Sequence, residues 1–309
     1  MMKKTILIFK ALIFIVVIVT AQEKGKIINP INKNKGTFKL AMIQMYVEGG
    51  KKDLNINHAI ELISEAATNN ADVALLPECL DLGWTHPSSL TMAEPIPEGE
   101  TCKKLMKTAK KYGIYICAGL TEKSGVHIYN AAVLIDREGK LLIKHRKLNE
   151  LDIGHPYYDQ GDRLNVVETE FGVLGLMICA DAFAKDHVLT RSLGYMGADV
   201  ILSPCAWAVE ADHDNNKNPY GGFWRRTYIP VATEFSTPII GVSNVGWISE
   251  GPWKGMKCIG SSLAIDQAGK EINQGTYGVE AEAILYIDIS PSERPARGHS
   301  WVNYWENIK

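Results

Sequence analysis

No two cysteines in this 309-residue chain have CxxC spacing, so the usual frame of a zinc site is missing. Cys79, Cys102, Cys117, Cys179, Cys205 and Cys258 are scattered along the chain, which excludes a densely stapled mini-domain. An excess of one charge is lacking too. The 33 basic and 35 acidic side chains leave a formal net charge of −2, without the basic footprint of a nucleic-acid partner. The acidic stretch EADHDNN (210–216) does not make a calcium loop. Counted from Asp212, it has Lys217 where the turn glycine is needed and Phe223 where the bidentate Glu is needed. No metal and no cofactor is therefore expected. His145 has no Asp or Asn at a recognisable spacing, which argues against a Cys–His protease dyad. The 46% hydrophobic and 22% charged content is ordinary, so the chain is neither disordered nor collagen-like.

The longest apolar run, from Thr5 to Val19, is broken by Lys10 and falls short of the roughly 20 residues of a comfortable membrane span. Lys3 and Lys4 precede it, and Val19-Thr20-Ala21 ends it with small residues ahead of Gln22. That is the pattern of a secretory signal cleaved near Ala21. An exported protein, periplasmic or secreted, is expected; an uncleaved N-terminal membrane anchor is the alternative. Loss of residues 1–21 takes three lysines from a chain of charge −2 and leaves −5. Residues 22–36 are polar and read as a linker, and 37–309 as one domain.

From Thr37 onward strands and helices alternate, as βαβ units require. KLAMIQM (39–45) and ADVALLP (71–77) read as buried strands. Between them, residues 54–70 carry apolar side chains at 56, 59, 60, 63, 66 and 67, one face of a helix. The plan recurs with FGVLGLMIC (171–179), a helix over 184–196 and ADVILSP (198–204). ADVALLP and ADVILSP agree at five of seven positions, which indicates two related βαβ halves. Residues 114–122, 127–136 and 140–148 read as further strands, the last two joined by a turn at Arg137-Glu138-Gly139. Later strands are expected at 237–246, 258–266 and 281–289.

Ligands of open α/β sheets bind beyond the carboxyl ends of the strands. Glu78 follows ADVALLP, Lys147 lies near the end of KLLIKHRKL (140–148), Cys179 closes FGVLGLMIC and Cys205 follows ADVILSP. A carboxylate, an ammonium and a thiol at one sheet edge can act as general base, charge stabiliser and nucleophile.

With these residues the chain resembles the nitrilase, or carbon–nitrogen hydrolase, superfamily. LLPECLDLGW (75–84) resembles the family's base motif, KHRKLNEL (144–151) its lysine motif and GLMICADAF (175–183) its nucleophile motif. The resemblance runs over roughly residues 38–290. It implies a four-layer αββα sandwich, usually dimeric or a higher homo-oligomer, and TRSLGYMG (190–197) is a candidate contributor to such a contact. It implies a Glu78–Lys147–Cys179 triad acting through a thioester at Cys179, with the oxyanion held by Lys147 and the N–H of Ala180. A helix amino end and Lys147 beside Cys179 would stabilise a thiolate, and a low-pKa exposed thiolate would oxidise readily.

The implied partner is a small-molecule amide or nitrile. Nitrile-hydrolysing members have Trp after the nucleophile; Ala180 here favours an amide. Nitrilase or N-acyltransferase chemistry by the same triad, or a non-catalytic binding protein on this fold, are the alternatives. Many members carry a second Glu after the lysine, and His155 is where the segment LNELDIGHPYYDQGD (148–162) aligns with it, with Glu150 and Asp152 the other candidates and Glu150 the next to test. Asp181, Cys205 and Trp207 are further supporting candidates, the last because it lies just past a strand end. Trp224 reads as core.

Overall fold

The computed structural model describes residues 36–292. The expected signal segment and all but the last residue of the expected linker lie outside the described residues. These described residues belong to one compact unit, Lys35–Lys309. The first half runs β1 (Phe38–Gln44), α1 (Lys52–Thr68), β2 (Val73–Leu75), α2 (Ser89–Met92), α3 (Glu100–Tyr112), β3 (Tyr115–Ser124), β4 (His127–Ile135) and β5 (Leu141–Arg146). The second opens with β6 (Asn165–Thr169), β7 (Gly172–Leu176), α4 (Val188–Met196), β8 (Val200–Cys205), β9 (Ala208–Val209) and α5 (Gly222–Phe235). It continues through β10 (Ile239–Ser243), β11 (Val245–Trp247), β12 (Lys257–Ile259), β13 (Leu263–Ile265), β14 (Glu271–Gln274) and β15 (Ala283–Ile289).

Two six-stranded mixed sheets result, ordered β15-β1-β2-β3-β4-β5 and β14-β13-β10-β8-β7-β6, with a small third sheet β11-β12-β9. Period-two alternation decides the layering. Leu40 and Met42 of β1 join Leu174, Val200 and Leu202 in the core between the sheets. Ala41 and Ile43 face the other way, onto Ile56, Ala59 and Ile63 of α1 and Leu105 of α3. Trp224, Tyr228 and Val231 of α5 and Leu193 of α4 belong to the core of the second sheet. The order of layers is helix, sheet, sheet, helix.

The internal repeat has a physical role. In the first half the N–H of Asp72 donates to the Lys39 carbonyl, and its carboxylate accepts from the Lys39 N–H at 2.9 Å. In the second, Asp199 makes the same two bonds to Val173, the side-chain one at 2.7 Å. Each Asp pins the start of a central strand to its parallel neighbour, β1 to β2 and β7 to β8.

Several boundaries differ from expectation. The helix expected over 184–196 begins only at Val188 and is preceded by 3₁₀ turns Cys179–Phe183 and Lys185–His187. Asp186 and His187, at φ +57° and +55°, break the helical run. The strands expected at 237–246 and 258–266 each split in two. The left-handed residues Gly260 and Ser261 (φ +63° and +55°) separate β12 from β13 and send them to different sheets. Helices α3 and α5 join the two that periodicity marks, and α5 tolerates Pro230 inside it.

Candidate active site

Glu78 stands three residues past the end of β2, on a turn held from two sides. Its N–H donates to the Cys205 carbonyl at 3.1 Å, while Leu80 N–H donates to Gly119 and Gly119 N–H to Pro77. Gly119 has to be glycine, because a Cβ there would lie 2.5 Å from Glu78 Cα and 2.7 Å from the Pro77 oxygen. Cys79 adopts φ +44° to complete the turn. Asp81 anchors its far end, with both carboxylate oxygens within 3.1 Å of the Thr121 N–H. Burial pushes the Asp81 carboxyl up to about 6, against the hydrogen bonds from Thr121.

Lys147 follows β5 directly, and its N–H donates to the Asn130 carbonyl. Its ammonium donates to Glu78 Oε1 at 2.7 Å and to Glu150 Oε1 at 3.0 Å. Asn130 Nδ2 bridges the same carboxylates, at 2.6 Å from Glu78 Oε1 and 3.0 Å from Glu150 Oε2. All four side chains are buried. Burial raises the Glu78 carboxyl; Lys147 opposes this and Glu150 adds to it. Burial also works against the Lys147 charge, but Glu78 and Glu150 overcome it and hold the ammonium well above its ordinary value.

Cys179 lies three residues past β7 at φ +41°, a left-handed conformation that costs a non-glycine residue of order 1–3 kcal/mol. Its N–H is taken by the Ser203 hydroxyl at 3.2 Å. Asp181 ties the Cys179 turn to the Lys147 segment. Its carboxylate accepts from the N–H groups of Leu148 (2.9 Å), Asn149 (2.8 Å) and Ile178 (2.9 Å) and faces His145 Nε2 at 2.8 Å. This pairing supplies the partner for His145 that spacing does not reveal. Asn149 Nδ2 adds a bond to the Ala180 carbonyl.

Glu78, Lys147, Cys179 and Ala180 line one cleft of about 190 Å³. Trp207 and Trp224 stack on its wall at 4.6 Å and 22°, so Trp224 is a wall residue as well as core. Trp84 and Trp253 meet edge to face at 5.0 Å in the same lining. Cys205 is buried and touches Ser203 and Tyr228, contributing to the site through its carbonyl. Asp181 sits buried behind the lining.

Two expectations are corrected. His155 is not beside Lys147: its side chain is 54% exposed and its nearest carboxylate oxygen, on Asp152, is 3.9 Å away. The chain bends after Lys147, which brings Glu150 back onto its own lysine and carries His155 out to the surface. Nor is Cys179 an exposed low-pKa thiolate ahead of an α-helix. It is only 8% exposed and opens a single 3₁₀ turn. Burial, the bond to Cys205 and the Glu78 charge push its thiol well above the ordinary value, with Lys147 opposing.

Asn130 and Trp253 belong to the site without any motif to announce them; Trp84 and Phe183 stand at the ends of the LLPECLDLGW and GLMICADAF segments, which hint at their place. All six cysteines are free and buried.

Residues 39–297 match the family model for carbon–nitrogen hydrolases. The chain is 31% identical over 255 residues to a nitrilase of Pyrococcus abyssi, covering 81% of this chain and 90% of that protein. It is 33% identical over 264 residues to the omega-amidase of Mus musculus, covering 82% and 88%. The omega-amidase of Danio rerio is 36% identical over 263 residues with the same coverage. Among solved structures, a carbon–nitrogen hydrolase from Helicobacter pylori G27 superposes with a TM-score of 0.72 at 21% identity, covering 82% of this chain and 89% of that one.

Proposed function

The chain belongs to the carbon–nitrogen hydrolase family, and from that premise we propose that it is an amidase working on small carboxamides through a thioester at Cys179. One observation carries the reading: Glu78, Lys147 and Cys179, far apart in sequence, line a single cleft beyond the strand ends.

The chemistry follows from the charges. At rest Cys179 is a neutral thiol, because a thiolate there would be buried and would face the Glu78 carboxylate. The proton therefore leaves as sulfur attacks: the S–C bond forms while Glu78, its basicity raised by burial, accepts the thiol proton. The carbonyl oxygen becomes an oxyanion held by the Lys147 ammonium and the Ala180 N–H. The Cys179 N–H is already bonded to Ser203, which leaves that of Ala180 for the task. Glu78 returns the proton to nitrogen, the C–N bond breaks, and ammonia or an amine departs. Glu78 then deprotonates water, which adds to the thioester; the C–S bond breaks and the proton returns to sulfur.

The relatives bear the names of both nitrilase and omega-amidase. Ala180, small and in the cleft lining, favours the amide. Ammonia release from a panel of amides and nitriles, lost in Cys179→Ala, tests the activity. Intact-mass detection of an acyl adduct on the unaltered enzyme mixed with an amide, absent from Cys179→Ala, tests the thioester; ammonia release that persists in Cys179→Ala would overturn the reading. We also propose export after cleavage near Ala21, and assembly of at least two copies through α4, whose Val188 and Tyr195 are half exposed. N-terminal sequencing of the secreted product and light scattering test these; a stable monomer at micromolar concentration overturns the second.

A further inference from the structure

Resting on the amidase reading of this cleft, we infer that it selects neutral carboxamides whose acyl group ends in an aromatic ring and rejects those whose acyl group ends in a carboxylate.

The walls supply the first half of the argument. The stacked Trp207–Trp224 pair is extended by Phe183, 5.7 Å from Trp224, and by Phe223, 5.2 Å from Phe183. The Trp84–Trp253 pair also belongs to the lining. Aromatic side chains offer flat, apolar faces and prefer ring partners at 4.5–7 Å, the range these pairs already use. A cleft of about 190 Å³ is left largely unfilled by a two- or three-carbon acyl group.

The charges supply the second half. Among the described residues of the lining, Lys147 is the sole cation. Its ammonium already serves Glu78 and Glu150 at 2.7 and 3.0 Å. Two carboxylates against one ammonium make the local charge negative when all are ionised. The hydroxyl of Tyr220 accepts from Trp224 Nε1 at 2.9 Å, so it offers a carboxylate one neutral O–H donor but no charge. A substrate carboxylate entering this space would lose water, meet no free cation and face like charge, which is the costly way to bury an ion. A neutral ring meets none of these penalties.

The test compares phenylacetamide, butyramide and succinamic acid as substrates of the full-length enzyme. The expected kcat/KM for phenylacetamide exceeds that for succinamate by about 100-fold or more, in the range by which a site mismatched in polarity discriminates. Butyramide should fall between them. Phe223→Arg, at a half-exposed position of the lining, should narrow the ratio at least tenfold by supplying the missing cation. Succinamate turned over as fast as phenylacetamide would overturn the inference and leave the amidase reading intact. If no amide releases ammonia, the amidase reading fails, and tryptophan-fluorescence titration of Cys179→Ala with the same compounds still decides the ligand class. Tighter binding of succinamate than of phenylacetamide would then overturn it.

Discussion

The N–H of Glu78 donates to the carbonyl of Cys205 at 3.1 Å, and these are the two residues that directly follow the repeated ADVALLP and ADVILSP segments. The bond joins the two sheets at equivalent points and sets the base turn against the sheet that carries Cys179. Gly119 clamps the same turn from the other side, so main-chain bonds hold the backbone of Glu78 between the two sheets.

Gly119→Ala should therefore disable the enzyme although it touches no reacting group. The added methyl would meet backbone of residues 77–79, which cannot swing aside. A stability loss of about 1–3 kcal/mol and at least a tenfold fall in kcat are expected, read by thermal melting and ammonia release.

Glu150 and His155 should part company under mutation. Glu150→Gln removes a charge from the Lys147 ammonium and should lower turnover at least tenfold, about 1.4 kcal/mol of barrier. His155→Ala, at the surface, should leave it unchanged. Steady-state rates with one amide decide both, and the reverse pattern would reinstate His155.

Acid should inactivate through Glu78. Its pKa lies above the ordinary 4.5 because of burial and the Glu150 charge, and in the proposed reaction only its ionised form accepts the thiol proton. The fall in kcat/KM on acidification should be centred above pH 4.5. Removing the Glu150 charge should move that limb to lower pH, whereas His155→Ala should not move it. A pH–rate profile of the three proteins tests this.

Much of the cleft could be read from the chain because Glu78, Lys147 and Cys179 each stand just past a strand, where apolar runs stop. Asn130 escaped because an amide within a strand has no pattern of its own. Glu150 was hard to prefer because residues three apart in a strand point to opposite faces; only the bend after Lys147 brings it onto that lysine. Ser203 shows the limit most plainly. It replaces Leu76 of the first repeat, one of the two mismatches, and holds the Cys179 N–H. In the fold, strands β12 and β13 read as one run, because nothing in CIGSSLAID says where the chain changes sheets.

Asp81 should give stability an unusual slope with pH. Its folded pKa of about 6 exceeds the ordinary 3.8, so the folded state binds the proton more tightly. Its stabilising contribution is full below about pH 3.8 and is lost as pH rises through about 6. Compared with Asp81→Asn, the native chain should lose on the order of 3 kcal/mol between those limits. Urea unfolding of both proteins at several pH values would reveal a flat difference if this is mistaken.

Asp181→Ala should unfold the site at both ends. Four donors, three of them backbone, converge on that buried carboxylate. Its loss should cost about 3–5 kcal/mol, with Asp181→Asn less damaging, as thermal melting would show.

The duplicated plan divides the labour. In the proposed reaction the half that ends in Glu78 supplies a proton acceptor, and the half that carries Cys179 supplies the atom that bonds to carbon. Neither has a reaction to perform by itself. On that reading, catalysis reports whether the two halves are stacked in register, and a slip of either layer by one residue should silence the enzyme while leaving every functional group intact.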